Sequence, residues 1–407
     1  MAKVADKKPL KRGQTKFQLI GKAKIGDFTF KINEESQKSD WVYNALNLGI
    51  DCGNGNVVYA DMMGGYGSDR DNVLYVHGTK KNDTGKDVDD FDNQFKVDWD
   101  DRLDTDATES IGDKCFITVG LEKDTKGNTF SKKFLSAYDA IEYIKDNLSE
   151  GTIINVKGDL KYSIYNDTIQ TKKEIRSIFL SKKEDVADHK ANFVQSILLD
   201  KDSIGKLDRE KAVYPISARV IDYTKNYNDV EVKCNVPFMK TFELEVDKAK
   251  PENTKKFMDK ILKVKKDITE LIVEGDIVEG QNIVNITEDD IPDDIKELIE
   301  IGVYTMEEAI KACAVGGTRE KRFIIRKPSI KMVGDEDNRH PVIQKFEAQY
   351  KDDDLVLDCM KEVEKEDEPE TTDDSDVPFD TTNTNSDSET EADADENAWL
   401  KTLGEED

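Results

Sequence analysis

The sequence predicts a mainly β protein with helical insertions, in which two tandem five-stranded modules are followed by a disordered acidic tail. Three observations point there. One order of elements occurs twice, the strand candidates alternate with period two, and acid gathers at the end of the chain. The repeat is read first because a missed duplication misassigns the whole fold.

The first copy opens with Phe17-Gln18-Leu19-Ile20 and continues with Trp41-Val42-Tyr43-Asn44-Ala45-Leu46-Asn47-Leu48, a turn at Gly53-Asn54-Gly55, and Val57-Val58-Tyr59. Residues 134–144 space their apolar side chains three and four apart, which predicts a helix with one buried face. Val156-Lys157-Gly158-Asp159-Leu160 and Glu174-Ile175-Arg176-Ser177-Ile178-Phe179 complete the copy. In the first of these, Val156, Gly158, Leu160 and Tyr162 oppose Lys157, Asp159 and Lys161, the pattern of a half-buried antiparallel strand. The second copy keeps the order: Phe193-Val194-Gln195-Ser196-Ile197-Leu198, then Val213-Tyr214-Pro215-Ile216-Ser217-Ala218-Arg219-Val220, a turn near Asn226-Tyr227-Asn228-Asp229, and Val230-Glu231-Val232. A helix is predicted over 253–271, with Phe257, Ile261, Val264, Ile268 and Leu271 on one stripe. Val273-Glu274-Gly275-Asp276-Ile277 and Lys321-Arg322-Phe323-Ile324-Ile325 follow it.

These patterns divide the chain into a flexible basic arm (1–15), module one (16–183, with an acidic insertion at about 79–109), and module two (184–333, with a helical insertion at about 288–316). A linker (334–360) and the disordered acidic tail (361–407) come after. In the helical insertion, Pro292 suits an early helical position, and Thr305-Met306-Glu307-Glu308 reads as a capping box for a short helix stopped by Gly316-Gly317. The tail is rich in acid, Thr, Ser and Asn and too poor in apolar residues to bury a core.

The formal charge of -27 is unevenly placed: residues 347–407 hold 24 of the 87 acids and only 4 of the 60 bases. No apolar run approaches the length of a membrane span, and the basic start is not followed by the apolar stretch of a signal peptide. The five cysteines (Cys52, Cys115, Cys234, Cys313, Cys359) are odd in number and scattered, which reads as free, buried thiols in a reducing cytoplasm.

Strand, strand, turn, strand, helix and hairpin, in that order, resemble the oligonucleotide/oligosaccharide-binding (OB) barrel, which sets a helix between its third and fourth strands. The Val-x-Gly-Asp openings at Val156-Lys157-Gly158-Asp159 and Val273-Glu274-Gly275-Asp276 look like those of OB-type single-stranded DNA-binding proteins. Asp373-Asp374-Ser375-Asp376-Val377-Pro378-Phe379 is similar to the acidic tip with which bacterial members of that group recruit replication partners, although here it is internal. Two modules with inserted helices look more like the replication proteins of large-genome bacteriophages. The resemblance implies two OB-like barrels, sequence-nonspecific single-stranded DNA binding in replication or recombination, no enzymatic activity and no cofactor.

Single strands bind to cationic grooves and stack on aromatic faces. The candidates in module one are Tyr43, Tyr59, Lys157, Lys161, Lys173 and Arg176, with Tyr66, Tyr165 and Lys172 beside them. Those in module two are Arg219, Tyr223, Lys233, Arg322 and Arg326, with Tyr227, Phe238, Lys321 and Lys327. Tyr162 and Phe323 share the parity of core residues and read as core. Gly64-Gly65-Tyr66-Gly67 reads either as a DNA-clasping loop or as a plain turn. Asp376, Val377, Pro378, Phe379, Trp399 and Leu400 are apolar islands in the tail suited to partner proteins. The tail reads as a tethered polyanion that competes with DNA for a cationic groove, against the plainer reading of a tail that only confers solubility.

Enzyme chemistry finds little footing. His77, His189 and His340 are far apart, no histidine has metal-ligand spacing, and the Asp runs in the insertion read as solvated surface. An acidic protein-interaction scaffold or DNA-mimic inhibitor is the rival reading; a contiguous basic groove argues against it and an acidic surface throughout argues for it.

Overall fold

Each strand of the repeated pattern finds its barrel partners within its own half of the chain. The computed structural model describes residues 7–165, 168–183, 185–227, 230–281, 291–306, 309, 319–334 and 338–356. The first half runs β1 (Thr15–Lys24), β2 (Phe30–Glu35), β3 (Trp41–Asp51) and β4 (Val57–Gly67). A side unit follows, made of β5 (Val73–Lys81), β6 (Asp87–Asp98) and the single-turn helix α1 (Thr105–Thr108), after which β7 (Ile117–Lys123) and β8 (Thr129–Phe134) rejoin the main sheet beside β10. Helix α2 (Ala137–Asn147) then leads into β9 (Ile153–Tyr165) and β10 (Thr168–Leu180). The second half runs β11 (Lys190–Leu199), β12 (Val213–Tyr227), β13 (Val230–Glu245), α3 (Pro251–Phe257), β14 (Ile268–Gln281), α4 (Asp293–Glu300) and β15 (Arg319–Pro328). The short strands β16 (Ile330–Val333), β17 (His340–Ile343) and β18 (Lys345–Tyr350) come last.

In barrel one, β1 pairs antiparallel with β3 and β3 with β4; β4 lies parallel to β10, which pairs antiparallel with β9, and β9 returns to β1. Barrel two repeats the circuit with β11, β12, β13, β15 and β14. Both are closed five-stranded circuits with the OB order, a helix joining the third strand to the fourth. The first strands of the two barrels also pair with each other, antiparallel from Thr15 opposite Gln195 to Ile20 opposite Lys190, with Phe17 facing Phe193. A single apolar cluster, from Leu19 and Ile50 to Phe242 and Ile325, runs through both barrels.

The repeated Gly-Asp has a packing cause. A Cβ on Gly158 would run into the Glu174 carbonyl oxygen and the Phe17 ring; one on Gly275 would meet the Ile324 carbonyl oxygen and the Phe193 ring. Each glycine lets the fifth strand approach, and the ladder slips at that point in both barrels. The aspartate beside it then holds the bulge: Asp159 pairs with Lys16 at 2.5 Å and Arg176 at 3.4 Å, and Asp276 accepts from Arg326 at 2.6 Å and Asn192 at 2.8 Å.

Several expectations change. The predicted helix over 253–271 ends at Leu262, in a wider turn over Met258–Leu262 closed by the Lys263 N–H on the Met258 carbonyl; Ile268 and Leu271 belong to β14. Lys263 is extended and Asp267 takes a positive φ of 52°, so the chain has turned before Ile268. The apolar spacing ran on across this turn because both elements face the same core. The helix predicted over 134–144 is α2 and begins at Ala137, where Ser136 accepts from the Tyr138 N–H; Phe134 ends β8. Gly64-Gly65-Tyr66-Gly67 is neither loop nor turn but the end of β4, and a Cβ on Gly64 would strike Ala137 at the start of α2.

Residues 7–14, part of the expected flexible arm, are tied down. Arg12 Nε lies 2.7 Å from the fully buried Asp222 carboxylate, which also accepts the Tyr162 and Tyr223 N–H groups. Lys8 donates to Gln349 and Asp354, and Asn235 donates to the Leu10 carbonyl. The expected linker holds β18, which pairs with β14, and Tyr350 is buried. The capping box at 305–308 and Gly316-Gly317 fall largely or wholly outside the described residues, as do Cys313 and Cys359. Cys52 is buried, its thiol pushed up to about 12 by desolvation, while Cys115 and Cys234 are partly buried. Among the described residues, no helix is long and apolar enough to cross a membrane.

Candidate nucleic-acid interface

The inter-barrel junction begins at the Gly53-Asn54-Gly55 turn. These three residues take positive φ values of 86°, 54° and 73°, which glycine and asparagine tolerate. The turn projects Asn56 onto β14, where its side chain donates to the Ile277 carbonyl at 2.9 Å and accepts the Glu279 N–H at 2.8 Å. It thus stands in for a partner strand at the end of β14.

Charges that share the parity of core residues meet at this junction. Lys173 lies two residues before the buried Ile175, Glu279 two after the buried Ile277, and Lys240 midway between the buried Phe238 and Phe242. Lys173 Nζ lies 2.6 Å from Glu279 Oε1, with side-chain exposures of 6% and 9%, and this ion pair links β10 to β14. Lys240 donates to Thr171 Oγ1 at 3.1 Å and stands 4.5 Å from the centre of the Phe323 ring. Burial, then the neighbouring Lys173, lowers the Lys240 ammonium to about 8, with Lys321 adding to the push and Glu279 opposing it. Asp61 is pushed up by burial against the pull of Lys172, Lys173 and Lys321. Four lysines therefore share the junction with two carboxylates.

On the β3–β4 side a shallow groove opens from this junction. Phe28, Lys31, Asn47, Asp61, Met63 and Lys172 line it. Phe28 is 71% exposed, and Asn47 Oδ1 is buried without a hydrogen-bond partner among the described residues. The exposed Phe28 ring before β2, Lys31 on β2 and Lys172 on β10 flank the second and third strands of the barrel and form a surface suited to a base and its phosphate.

The residues singled out from sequence are distributed otherwise. Tyr43 stacks on Trp41 with ring centres 4.8 Å apart, and Tyr59 sits at the junction, its N–H on Glu279 at 3.4 Å. Lys157 and Lys161 stand on β9 without an ion pair among the described residues, Lys157 exposed and Lys161 half-buried. Lys173 is the buried partner of Glu279 rather than an open groove cation. The arginines are engaged: Arg176 with Asp159 and Glu174, Arg219 with Asp200 at 2.8 Å, Arg322 with Glu243 and Glu245, and Arg326 with Glu245 and Asp276. Lys233 pairs with Glu231 at 2.5 Å, and Tyr223 is half exposed. Phe238 is a core residue, 1% exposed beside Tyr162 and Tyr227, and Tyr162 and Phe323 are core as expected. Tyr66 packs with Trp99 and Tyr138 against α2. Asp376, Val377, Pro378, Phe379, Trp399 and Leu400 lie outside the described residues.

Sequence reasoning missed Phe28, Lys31, Asn47, Lys240 and Glu279. The last two carried a usable signal, a charge at an apolar position of an alternating strand.

The side unit brings together three groups that the sequence keeps apart. Cys115 Sγ lies 3.1 Å from His77 Nδ1, and His77 Nε2 lies 2.8 Å from Asp89 Oδ1. Burial, and secondarily the Asp89 charge, push the Cys115 thiol up, so the chain of groups ties β5 and β6 to 113–115 with a protonated thiol. Among the described residues no cluster of three His, Cys, Asp or Glu side chains is arranged to hold a metal ion.

A family model described as YorF matches residues 103–302, slightly under half of the chain. No curated protein matches. Among solved structures, the single-stranded DNA binding protein from Thermus aquaticus matches at 11% identity and a TM-score of 0.28, over 66% of this chain and 87% of that one. A deletion mutant of that protein matches at 10% identity and a TM-score of 0.27, over 66% and 88%. Overlaps this slight carry no conclusion about function.

Proposed function

We propose that this chain is a non-enzymatic protein that binds single-stranded DNA without sequence preference. One observation carries the reading: the exposed Phe28 ring, Lys31 and Lys172 line one groove alongside the second and third strands of a closed OB-type circuit. Stacking on such a ring contributes about 1–3 kcal/mol per base whatever the base, and lysines follow the backbone. The finer reading is a role in replication or recombination, in a phage, with the tail lowering DNA affinity and recruiting partner proteins. It is supported by the 19 acids against three lysines of residues 361–407 and by the Asp-Val-Pro-Phe stretch.

The rival reading, an acidic scaffold or DNA mimic, draws on the acid of the β5–β6 hairpin and on the arginines that carboxylates already hold. Fluorescence titration of the full chain with labelled oligothymidine, duplex DNA and RNA at several salt concentrations decides between them. Preference for oligothymidine, weakening as salt rises, is the expected result; no binding at low salt overturns the DNA reading. Removing residues 361–407 is expected to tighten binding most at low salt, where screening is weakest. Phe379→Ala and Trp399→Ala are expected to spare DNA binding and abolish capture of replication or recombination partners.

A further inference from the structure

We propose that the junction lysines Lys172, Lys240 and Lys321 hold a backbone phosphate, so that one strand passes from the β3–β4 groove of barrel one onto barrel two as over a single surface. This rests on the single-stranded DNA reading and names the place where the two barrels share a ligand.

Two observations lead to it. The first is a cation excess that the described residues do not neutralise. Glu279 is taken by Lys173 in a closed ion pair, which among the described residues leaves the half-buried Asp61 to answer Lys172, Lys240 and Lys321. Lys240 has a hydroxyl and an aromatic face for company rather than a carboxylate. A lysine drawn into a half-buried site among other lysines loses solvation and gains repulsion. A phosphodiester reverses both, with a charge-assisted hydrogen bond of the strong class.

The second observation is continuity and rigidity. Lys172 lines the groove and stands beside Lys173, while Lys240 and Lys321 belong to the third and fifth strands of barrel two. The Asn56 bonds, the Lys173–Glu279 pair and the β1–β11 ladder hold the two sides in one geometry. The phosphate site is therefore formed before DNA arrives, and no ordering of the barrels is required on binding.

The test uses the full chain and a Lys240→Gln/Lys321→Gln variant, with Lys263→Gln/Lys265→Gln as an equal charge change away from the junction. Labelled oligothymidines from a few to a few tens of nucleotides are titrated across a salt series, and thermal melting checks that each variant is folded. The expected result for the junction variant is a salt slope shallower by about 0.7 for each phosphate no longer neutralised. Affinity for long oligothymidine should fall at least several-fold, with little change for oligomers short enough to occupy the groove alone. A Lys240→Arg variant should keep the wild-type slope. If both double variants show the same slope and length dependence, the junction site is wrong while the DNA reading stands. If the wild-type chain binds no oligothymidine at low salt, both fall together.

Discussion

The two barrels close the same five-strand circuit, yet they carry different additions and use their shared motif in different company. Barrel one extends its sheet with β2, β7 and β8 and carries the β5–β6 unit; barrel two has long plain strands and gains β18 and α4. At the motif, Asp159 answers a lysine and an arginine, Asp276 an asparagine and an arginine whose second partner is Glu245. What stays constant is the close approach at the glycine and the charge that pins the bulge. What varies lies at the rims, where Lys173, Lys240 and Glu279 sit at apolar parity. The comparison teaches that the repeat is a device for closing barrels, and that function is to be sought where its parity rule is broken.

The sharpest way to break this contrast is at the junction ion pair. Lys173→Met leaves Glu279 buried without its partner and is expected to cost about 3–5 kcal/mol, whereas adding Glu279→Leu should recover most of the loss. Urea denaturation of both variants checks this, and an equal loss in single and double variants would show that the pair is not isolated from water. Next in size, Gly158→Ala and Gly275→Ala are each expected to destabilise by about 1–3 kcal/mol, since backbone blocks the added carbon in both barrels. Unequal losses would mean that the two glycines do different jobs.

A smaller effect is a pH dependence carried by Lys240. Its proton leaves the folded form near pH 8 but stays on the unfolded chain up to about 10.5. The unfolded state therefore binds more protons in that window, so this group's destabilising contribution, full below pH 8, fades as pH rises to 10.5. DNA affinity should move the opposite way, falling a few-fold between pH 7 and 9 as Lys240 loses charge beside Lys173, Lys321 and Glu279. Lys240→Met should flatten both trends. The smallest effect is expected of Arg176→Ala and Arg326→Ala, whose partly exposed pairs contribute about 0–1 kcal/mol each. Guanidinium groups already held by carboxylates should also leave oligothymidine binding almost unchanged, and a large loss would return these arginines to the interface.

Period-two parity located the core because it reports which side of a strand is wet: Val156, Leu160 and Tyr162 are buried and Lys157 is exposed, as written in the sequence. The same reasoning sent Arg322 and Arg326 to a polar face correctly, but parity says nothing about the neighbouring strand, and β13 and β14 supply the acids that hold them. The junction was hidden for a related reason. Thr171 and Lys240 are 69 residues apart, and Asn56 and Glu279 are 223 apart. The β1–β11 ladder, itself invisible to local pattern, sets the two barrels side by side and brings such positions together.

That ladder also bears on how the chain is made. Along residues 16–20, β1 has β9 on one side, and on the other has β11 instead of β3, which joins only at residues 22–24. During synthesis, all five strands of barrel one have been made once Leu180 has been added, yet that half of β1 keeps a bare row of backbone donors and acceptors until residues 190–195 follow. At about 5–20 residues per second the interval is on the order of a second. A nascent chain stalled there, or a fragment ending near residue 183, presents an open strand edge of the kind that invites other chains to pair. The two halves are copies by pattern, but each remains unfinished until the other arrives.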